Sequence, residues 1–146
     1  MSLRIIFTVL LLFFVTACNS PNQASIDSTH ENSYSREITK EEQSYIRYIL
    51  NEDYEALISK TEDRKSEIKK DYYQMATALA QFEEAEERKQ DPAVTNEELK
   101  LRYTTILQML DKVKYIPVEI KDKVREVKKL SQFQEDYYGN KIIDRK

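Results

Sequence analysis

The chain has 146 residues, with 23 Lys and Arg against 26 Asp and Glu, so its formal net charge is -3 at pH 7. A mildly acidic balance argues against nucleic acid as a general partner, because the phosphate backbone attracts strongly basic surfaces. One glycine, three prolines and no tryptophan stand beside 34% charged residues, which leaves few turn formers. The composition therefore predicts an all-α protein with long helices.

The N-terminal segment resembles a signal that directs the chain out of the cytoplasm. Arg4 is followed by an apolar run from Ile5 to Val15 that only Thr8 interrupts, which is a secretory signal layout. At about 1.5 Å per residue, this run covers only about half of a ~30 Å hydrocarbon core, so a permanent span is not expected. We expect residues 1–17 to be a signal peptide that is cleaved.

The signal segment ends in Val15-Thr16-Ala17-Cys18, which resembles the lipobox of bacterial lipoprotein precursors. The resemblance implies that the Cys18 thiol receives a diacylglyceryl group, and that cleavage makes Cys18 the first residue of the mature chain. Acyl chains such as palmitate would then anchor it. The alternative is a buried or free thiol at the end of an uncleaved helix, but Cys18 is the only cysteine, and lipidation explains its solitude.

Two acyl chains hold a protein stably on a bilayer without a membrane span. We therefore expect a lipoprotein of the cell envelope, lipid-anchored on the extracytoplasmic face of the membrane. Residues 18–36 are rich in Asn and Ser and carry few apolar residues, so we interpret them as a disordered, flexible tether. His30, the only histidine, lies there. A ligand or catalytic role is the alternative to the solvated loop residue that we favour.

The first helix is predicted to begin at a capping box, Thr39-Lys40-Glu41-Glu42, with Ile38 in the hydrophobic-staple position. Its apolar stripe consists of Ile46, Ile49, Leu50, Tyr54, Leu57 and Ile58. The run Ser59–Glu67 has no apolar residue. Either the helix turns there with Thr61 as the next cap, or one long exposed helix continues through it.

Two further stripes have heptad-like spacing, which is typical of helices packed at shallow angles. The first consists of Ile68, Tyr72, Met75, Leu79 and Phe82, and stops at Asp91-Pro92 because a proline disfavours helix at the residue before it. The second follows a capping box at Thr95 and consists of Leu99, Tyr103, Ile106, Leu110 and Val113.

The last predicted helix follows Pro117, which either ends the preceding helix or occupies the first turn of this one. Its stripe consists of Ile120, Val124, Val127, Leu130, Phe133 and Tyr137, and Gly139 is placed to end it. Residues 140–146 form a short tail, which frays or docks through Ile142 and Ile143. Residues 37–139 are thus predicted to form an elongated up-and-down bundle of three to four antiparallel helices.

Several catalytic classes are excluded by counting residues. The only histidine lies in the tether and the only cysteine is assigned to lipid, so no Cys-His or Ser-His site can form. A structural zinc site or a di-iron site needs more such ligands, and a phosphate-binding loop needs more glycines. We predict no enzyme, no metal and no cofactor.

The densest carboxylates, Glu83, Glu84, Glu86 and Glu87, are interpreted as a solvated helix face rather than a paired-carboxylate or calcium site.

Two tyrosine pairs offer candidate binding residues. In Tyr72-Tyr73 and Tyr137-Tyr138, one ring joins the apolar stripe and the next lies about 100° around the helix. Tyr73 and Tyr138 are the outward rings by this spacing and are candidate partner-binding residues, although they could also cover a neighbouring helix. Five basic residues of the last helix either pair with acidic side chains or form a basic face for anionic lipid or an acidic partner: Lys121, Lys123, Arg125, Lys128 and Lys129.

The first functional hypothesis is a non-enzymatic surface lipoprotein that binds or modulates another envelope protein through its helical faces. The second is a carrier or sensor with an apolar ligand between the helices, lined by Leu79, Phe82, Ile106 and Leu110. An enzyme that uses carboxylates alone is the third. It would need acidic side chains from different helices to meet in a cleft with raised pKa values.

Overall fold

The computed structural model describes residues 36–143, and their regular secondary structure is entirely helical. The five helices are α1 Lys40–Leu50, α2 Tyr54–Thr61, α3 Glu67–Arg88, α4 Asn96–Leu110 and α5 Val118–Ile143. No strand occurs in this part of the chain, so the all-α prediction is confirmed. The predicted signal peptide, Cys18 and nearly all of the tether with His30 lie outside the described residues.

Helix α1 begins where the capping box predicts. The Thr39 hydroxyl accepts the Glu42 N–H at 3.2 Å, and the Glu42 carboxylate accepts the Thr39 N–H at 3.1 Å. Glu42 is fully buried, and Arg36 donates to it through both terminal guanidinium nitrogens, one of them at 2.9 Å. This carboxylate therefore joins the chain entering α1 to the first turn of the helix.

The segment between Thr39 and Gln90 contains three helices, where the sequence suggests one or two. The unpredicted break lies at Asn51–Asp53, where Glu52 adopts a left-handed conformation with φ 62° and the Asp53 N–H binds the Tyr48 carbonyl at 2.9 Å. Thr61 is not a cap. It is the last residue of α2, and its buried hydroxyl donates to the Leu57 carbonyl at 2.7 Å. Ser66 caps α3 by accepting the Lys69 N–H at 3.2 Å.

Helix α4 begins at the predicted cap, since the Thr95 hydroxyl accepts the Glu98 N–H at 3.1 Å. Pro117 directly precedes α5. Gly139 does not end α5, which continues to Ile143, and a Cβ at Gly139 would meet the Lys100 side chain at an ordinary 3.6 Å. The glycine therefore acts as an interior helix residue that lies close to α4.

The hydrophobic core receives side chains from all five helices. Its fully buried members include Ile49 of α1, Leu57 of α2, Met75 of α3, Ile106 of α4 and Ile120 of α5. All of the core residues fall between Ile38 and Tyr138. The described residues thus contain one helical bundle with a single apolar core.

A buried carboxylate fixes the connection between α4 and α5. Asp71 of α3 accepts the backbone N–H of Lys114 at 3.0 Å and that of Tyr115 at 3.1 Å. Burial raises the pKa of Asp71, and these two hydrogen bonds partly oppose the rise. Asp71 therefore holds the chain just before α5, which in turn sets the position of that helix.

Candidate interaction surface

The two candidate tyrosines do not share one environment. Tyr73 is half-buried on α3, and the guanidinium of Arg64 lies 4.6 Å from its ring centroid. Tyr138, expected to point outward, is only 8% exposed and belongs to the core. The orientation predicted for Tyr138 is therefore wrong, and Tyr137, at 42% exposure, is the outward ring of that pair.

Tyr138 turns inward because it meets an aromatic cluster on the facing helices. Its ring stacks on Tyr103 of α4 with centroids 6.1 Å apart and planes within 5°, and Tyr103 in turn packs edge-on against Phe82 of α3. The Tyr103 hydroxyl donates to Glu86 at 2.7 Å, so the polar end of the buried ring is also satisfied. Burial, followed by that hydrogen bond, raises the pKa of Tyr103.

The inward face of α5 keeps one phase along the helix, whereas the predicted stripe departs from it after Val127. The residues that are buried along this helix are Ile120, Val124, Val127, Ser131 and Tyr138. Because four residues make slightly more than one helical turn, the step from Val127 to Ser131 keeps the same face inward. Leu130 and Phe133, which the sequence stripe assigns to the core, are therefore rotated outward.

The result is a row of exposed apolar side chains on α5, which we call the α5 stripe: Leu130, Phe133 and Tyr137. Their exposed fractions are 41%, 63% and 42%. Steps of three and four residues place them on one side of the helix. Sequence analysis places these residues in the core. A 3.6-residue period continued from Val124 would have placed Ser131 on the inward face. Leu130, Phe133 and Tyr137 would then have formed a second apolar face, which no described helix covers.

The basic residues of α5 are largely engaged within the chain. Lys123 binds Glu52 at 2.7 Å, Lys128 binds Asp111 at 2.6 Å and Arg125 binds Asp122 at 3.2 Å. The first two pairs connect α5 to other elements. These ion pairs favour the interpretation that the basic residues of α5 pair with acidic side chains of the same chain. They argue against a basic face for anionic lipid.

Carboxylates from three segments of the chain do meet in one open cleft. The cleft has a volume of about 300 Å³. Its acidic lining comes from the α1–α2 turn, the start of α2 and the C-terminal half of α3. The acidic residues are Glu52, Asp53, Glu55, Glu83, Glu84 and Glu87. The hydrogen bond from Lys123 holds the pKa of Glu52 below its usual range, whereas a general acid needs a raised value.

No group of three or more Asp, Glu, His or Cys residues between 36 and 143 is arranged to hold a metal ion. The residues suggested for an apolar ligand site lie in the packed interior. Leu79, Ile106 and Leu110 are buried, and Phe82 packs against them from the rim of the core.

Within the described part of the chain, no helix is both long and apolar enough to cross a membrane. Comparisons with protein-family models, with curated proteins and with solved structures give no match for this chain.

Proposed function

We propose that this protein is a membrane-anchored lipoprotein that acts as a non-enzymatic interaction module and binds or modulates another envelope protein. The observation that carries the proposal is the α5 stripe, which exposes Leu130, Phe133 and Tyr137 side by side on one helix. Single exposed apolar residues are ordinary on protein surfaces, whereas a contiguous row is typical of a binding site. Aromatic side chains are also enriched among the residues that dominate binding energy.

The anchor in this proposal is Cys18, whose lipobox-like context would hold the chain on the extracytoplasmic face of the membrane. The tether after Cys18 would let the bundle reach a neighbouring protein in the same membrane. Cys18→Ala should therefore release the protein from the membrane fraction and should abolish labelling by a palmitate analogue. A variant that stayed membrane-bound and unlabelled would contradict lipid anchoring.

An antiparallel, elongated arrangement of α3, α4 and α5 is part of the same proposal. Contacts in opposite order along neighbouring helices support it: Lys128 binds Asp111 at 2.6 Å, and Glu135, further along α5, accepts from Thr104, further back along α4, at 2.6 Å. Such an arrangement leaves one side of α5 away from α4. The α5 stripe would then be available to a protein that approaches from outside.

Site-specific photo-crosslinking in cells tests the proposed binding surface. The full-length chain would carry a photoreactive phenylalanine in place of Phe133, and a matched chain would carry it in place of Leu101. Leu101 is a suitable control because it is 66% exposed and lies on a different helix, α4. We expect a defined crosslink to an envelope protein from position 133 and none from position 101.

Both outcomes of this experiment are informative. The crosslinked protein, identified by mass spectrometry, would name the process in which the module acts. Equal crosslinking from both positions, or none from either, would contradict the use of the α5 stripe. Loss of the crosslink in Leu130→Ser and its retention in Leu101→Ser would add that apolar contact drives the binding.

A further inference from the structure

The charges at the two ends of the α5 stripe have opposite signs. Asp122 and Glu126 precede the apolar residues and Lys141 follows them, and all three side chains are exposed. At 100° per residue, these three and the three stripe residues fall within an arc of about 100° on the helix. One side of α5 thus carries an acidic end, an apolar centre and a basic end.

We propose that the α5 stripe binds a second copy of this chain, with the two α5 helices side by side and antiparallel. In this arrangement Leu130 of one copy faces Phe133 of the other, twice by symmetry. Tyr137 then faces Glu126, and Lys141 faces Asp122. A two-fold axis between the helices makes every contact occur in both directions.

The charge pattern selects the antiparallel orientation over the parallel one. Parallel helices would place Lys141 against Lys141, and Asp122 against Asp122, in the two copies. Like charges across a helix pair are unfavourable, and opposite charges set partner orientation. The Asp122 side chain is 94% exposed in spite of its 3.2 Å contact with Arg125, so it can accept a second cation.

The same pattern argues against an anionic membrane as the occupant. The exposed acidic residues in the arc are Glu119, Asp122 and Glu126, and of its two lysines Lys123 is paired with Glu52 at 2.7 Å, which leaves Lys141. Arg125, Lys128 and Lys129 lie beside Phe133, but Arg125 and Lys128 are paired with Asp122 and Asp111, whereas a helix on anionic lipid carries a basic flank that faces the headgroups. The Lys141 ammonium lies 4.5 Å from the centroid of the Tyr137 ring in its own helix, which keeps its charge at the end of the stripe. A second, antiparallel copy would place an opposite charge against each end of the α5 stripe.

The inference rests on the proposed use of the α5 stripe as a protein-binding surface, and it makes the partner a second copy. Three apolar side chains per copy form a small interface, which is typical of weak association. Anchoring of both copies in one membrane would raise their effective concentration and favour pairing.

Cysteine crosslinking tests the orientation directly. Cys18 is the only native cysteine, so a chain that begins at Asn19 has none, and it keeps the whole core because that core lies between Ile38 and Tyr138. Asp122→Cys and Lys141→Cys would be prepared separately and treated with a short bismaleimide. We expect efficient dimer crosslinking only when the two variants are mixed. Crosslinking of each variant with itself, but not of the mixture, would overturn the antiparallel arrangement.

Sedimentation equilibrium measures the strength of pairing. Phe133→Ser should weaken association at least about tenfold, because a large apolar side chain would no longer be covered, while Leu101→Ser should leave it unchanged. Lys141→Glu should weaken association several-fold, and Asp122→Lys combined with Lys141→Glu should restore it. Unchanged thermal melting curves would show that each variant still folds.

One result would overturn self-pairing without overturning the proposed function, and two would overturn both. A chain that stays monomeric up to its solubility limit, while position 133 crosslinks to a different envelope protein in cells, removes the second copy as occupant. Vesicle binding lost in Phe133→Ser, with a monomer in solution, assigns the stripe to lipid. A monomer with no crosslink from position 133 removes both proposals.

Discussion

The Tyr103 and Tyr138 rings stack with their planes only 5° apart and their centroids separated by 6.1 Å. This contact joins α4 to the C-terminal part of α5, and Tyr138 is 8% exposed as a result. Adjacent helical residues point about 100° apart, so an inward Tyr138 requires an outward Tyr137. The stack is therefore the structural reason that α5 presents an apolar row to the outside.

Alanine substitutions at Tyr137 and at Tyr138 should distinguish the outward ring from the inward one. Tyr138→Ala removes a buried ring and should lower the free energy of unfolding by about 3 kcal/mol. Tyr137→Ala removes a ring that is 42% exposed and should cost less than about 1 kcal/mol. Urea denaturation followed by circular dichroism measures both values. Equal losses for the two variants would contradict the inward placement of Tyr138.

Ser131 is the polar residue on the inward face of α5, and its replacement by alanine should stabilise the fold. Its side chain is fully buried, and its hydroxyl oxygen makes no hydrogen bond to any described residue. Ser131→Ala removes the unsatisfied group and raises helix propensity, so the free energy of unfolding should rise by roughly 1 kcal/mol. The exposed neighbour provides a control, because Gln132→Ala should change stability by no more than about 0.5 kcal/mol.

Ser131 also explains where sequence reasoning about α5 failed. An apolar pattern favours Leu130 over Ser131 as the next core residue after Val127, yet the helical period requires position 131. The structure follows the helical period, and the stacking of Tyr138 on Tyr103 adds a contact that holds this face inward. Such a contact between distant residues cannot be deduced from the spacing within one helix.

Local signals were reliable where a side chain binds its own backbone. The capping box at Thr39 forms as predicted, and at Thr95 the threonine half of the predicted box forms, because Ser and Thr hydroxyls satisfy free N–H groups at helix starts. Glu52 shows the limit of such reasoning. Its left-handed conformation breaks the chain between α1 and α2, although glutamate carries no turn preference that would reveal this. The break is accompanied by the Lys123–Glu52 ion pair, a contact with distant α5.

Asp71 should contribute strongly to the free energy of unfolding, because its buried carboxylate accepts two backbone hydrogen bonds. Asp71→Ala leaves the N–H groups of Lys114 and Tyr115 without their acceptor, so the free energy of unfolding should fall by about 2 kcal/mol. Asp71→Asn retains an amide oxygen that can accept one of them, and should cost less. Denaturation of both variants in urea tests the order, and a larger loss for asparagine would contradict it.

The position of Glu67 predicts a specific loss of stability in acid. Its carboxylate accepts from Lys114 at 2.6 Å and from Lys70 at 2.6 Å, and these contacts lower its pKa from 4.5 to about 2. A carboxyl with a lowered pKa in the folded state stabilises the fold above its unfolded pKa of 4.5. That contribution is lost as the pH falls from about 4.5 towards 2.

Glu67→Gln removes this contribution, and it also removes a negative charge that helps to raise the pKa of Asp71, a shift that acts in the opposite direction and favours the fold as the pH falls. Compared with the wild type, the glutamine variant should be less stable at neutral pH and should lose less stability on acidification. Added salt should reduce the difference between the two proteins at neutral pH, because both lysine contacts are exposed to solvent. Parallel pH profiles of the free energy of unfolding for the two proteins would show that the lysine contacts do not perturb Glu67.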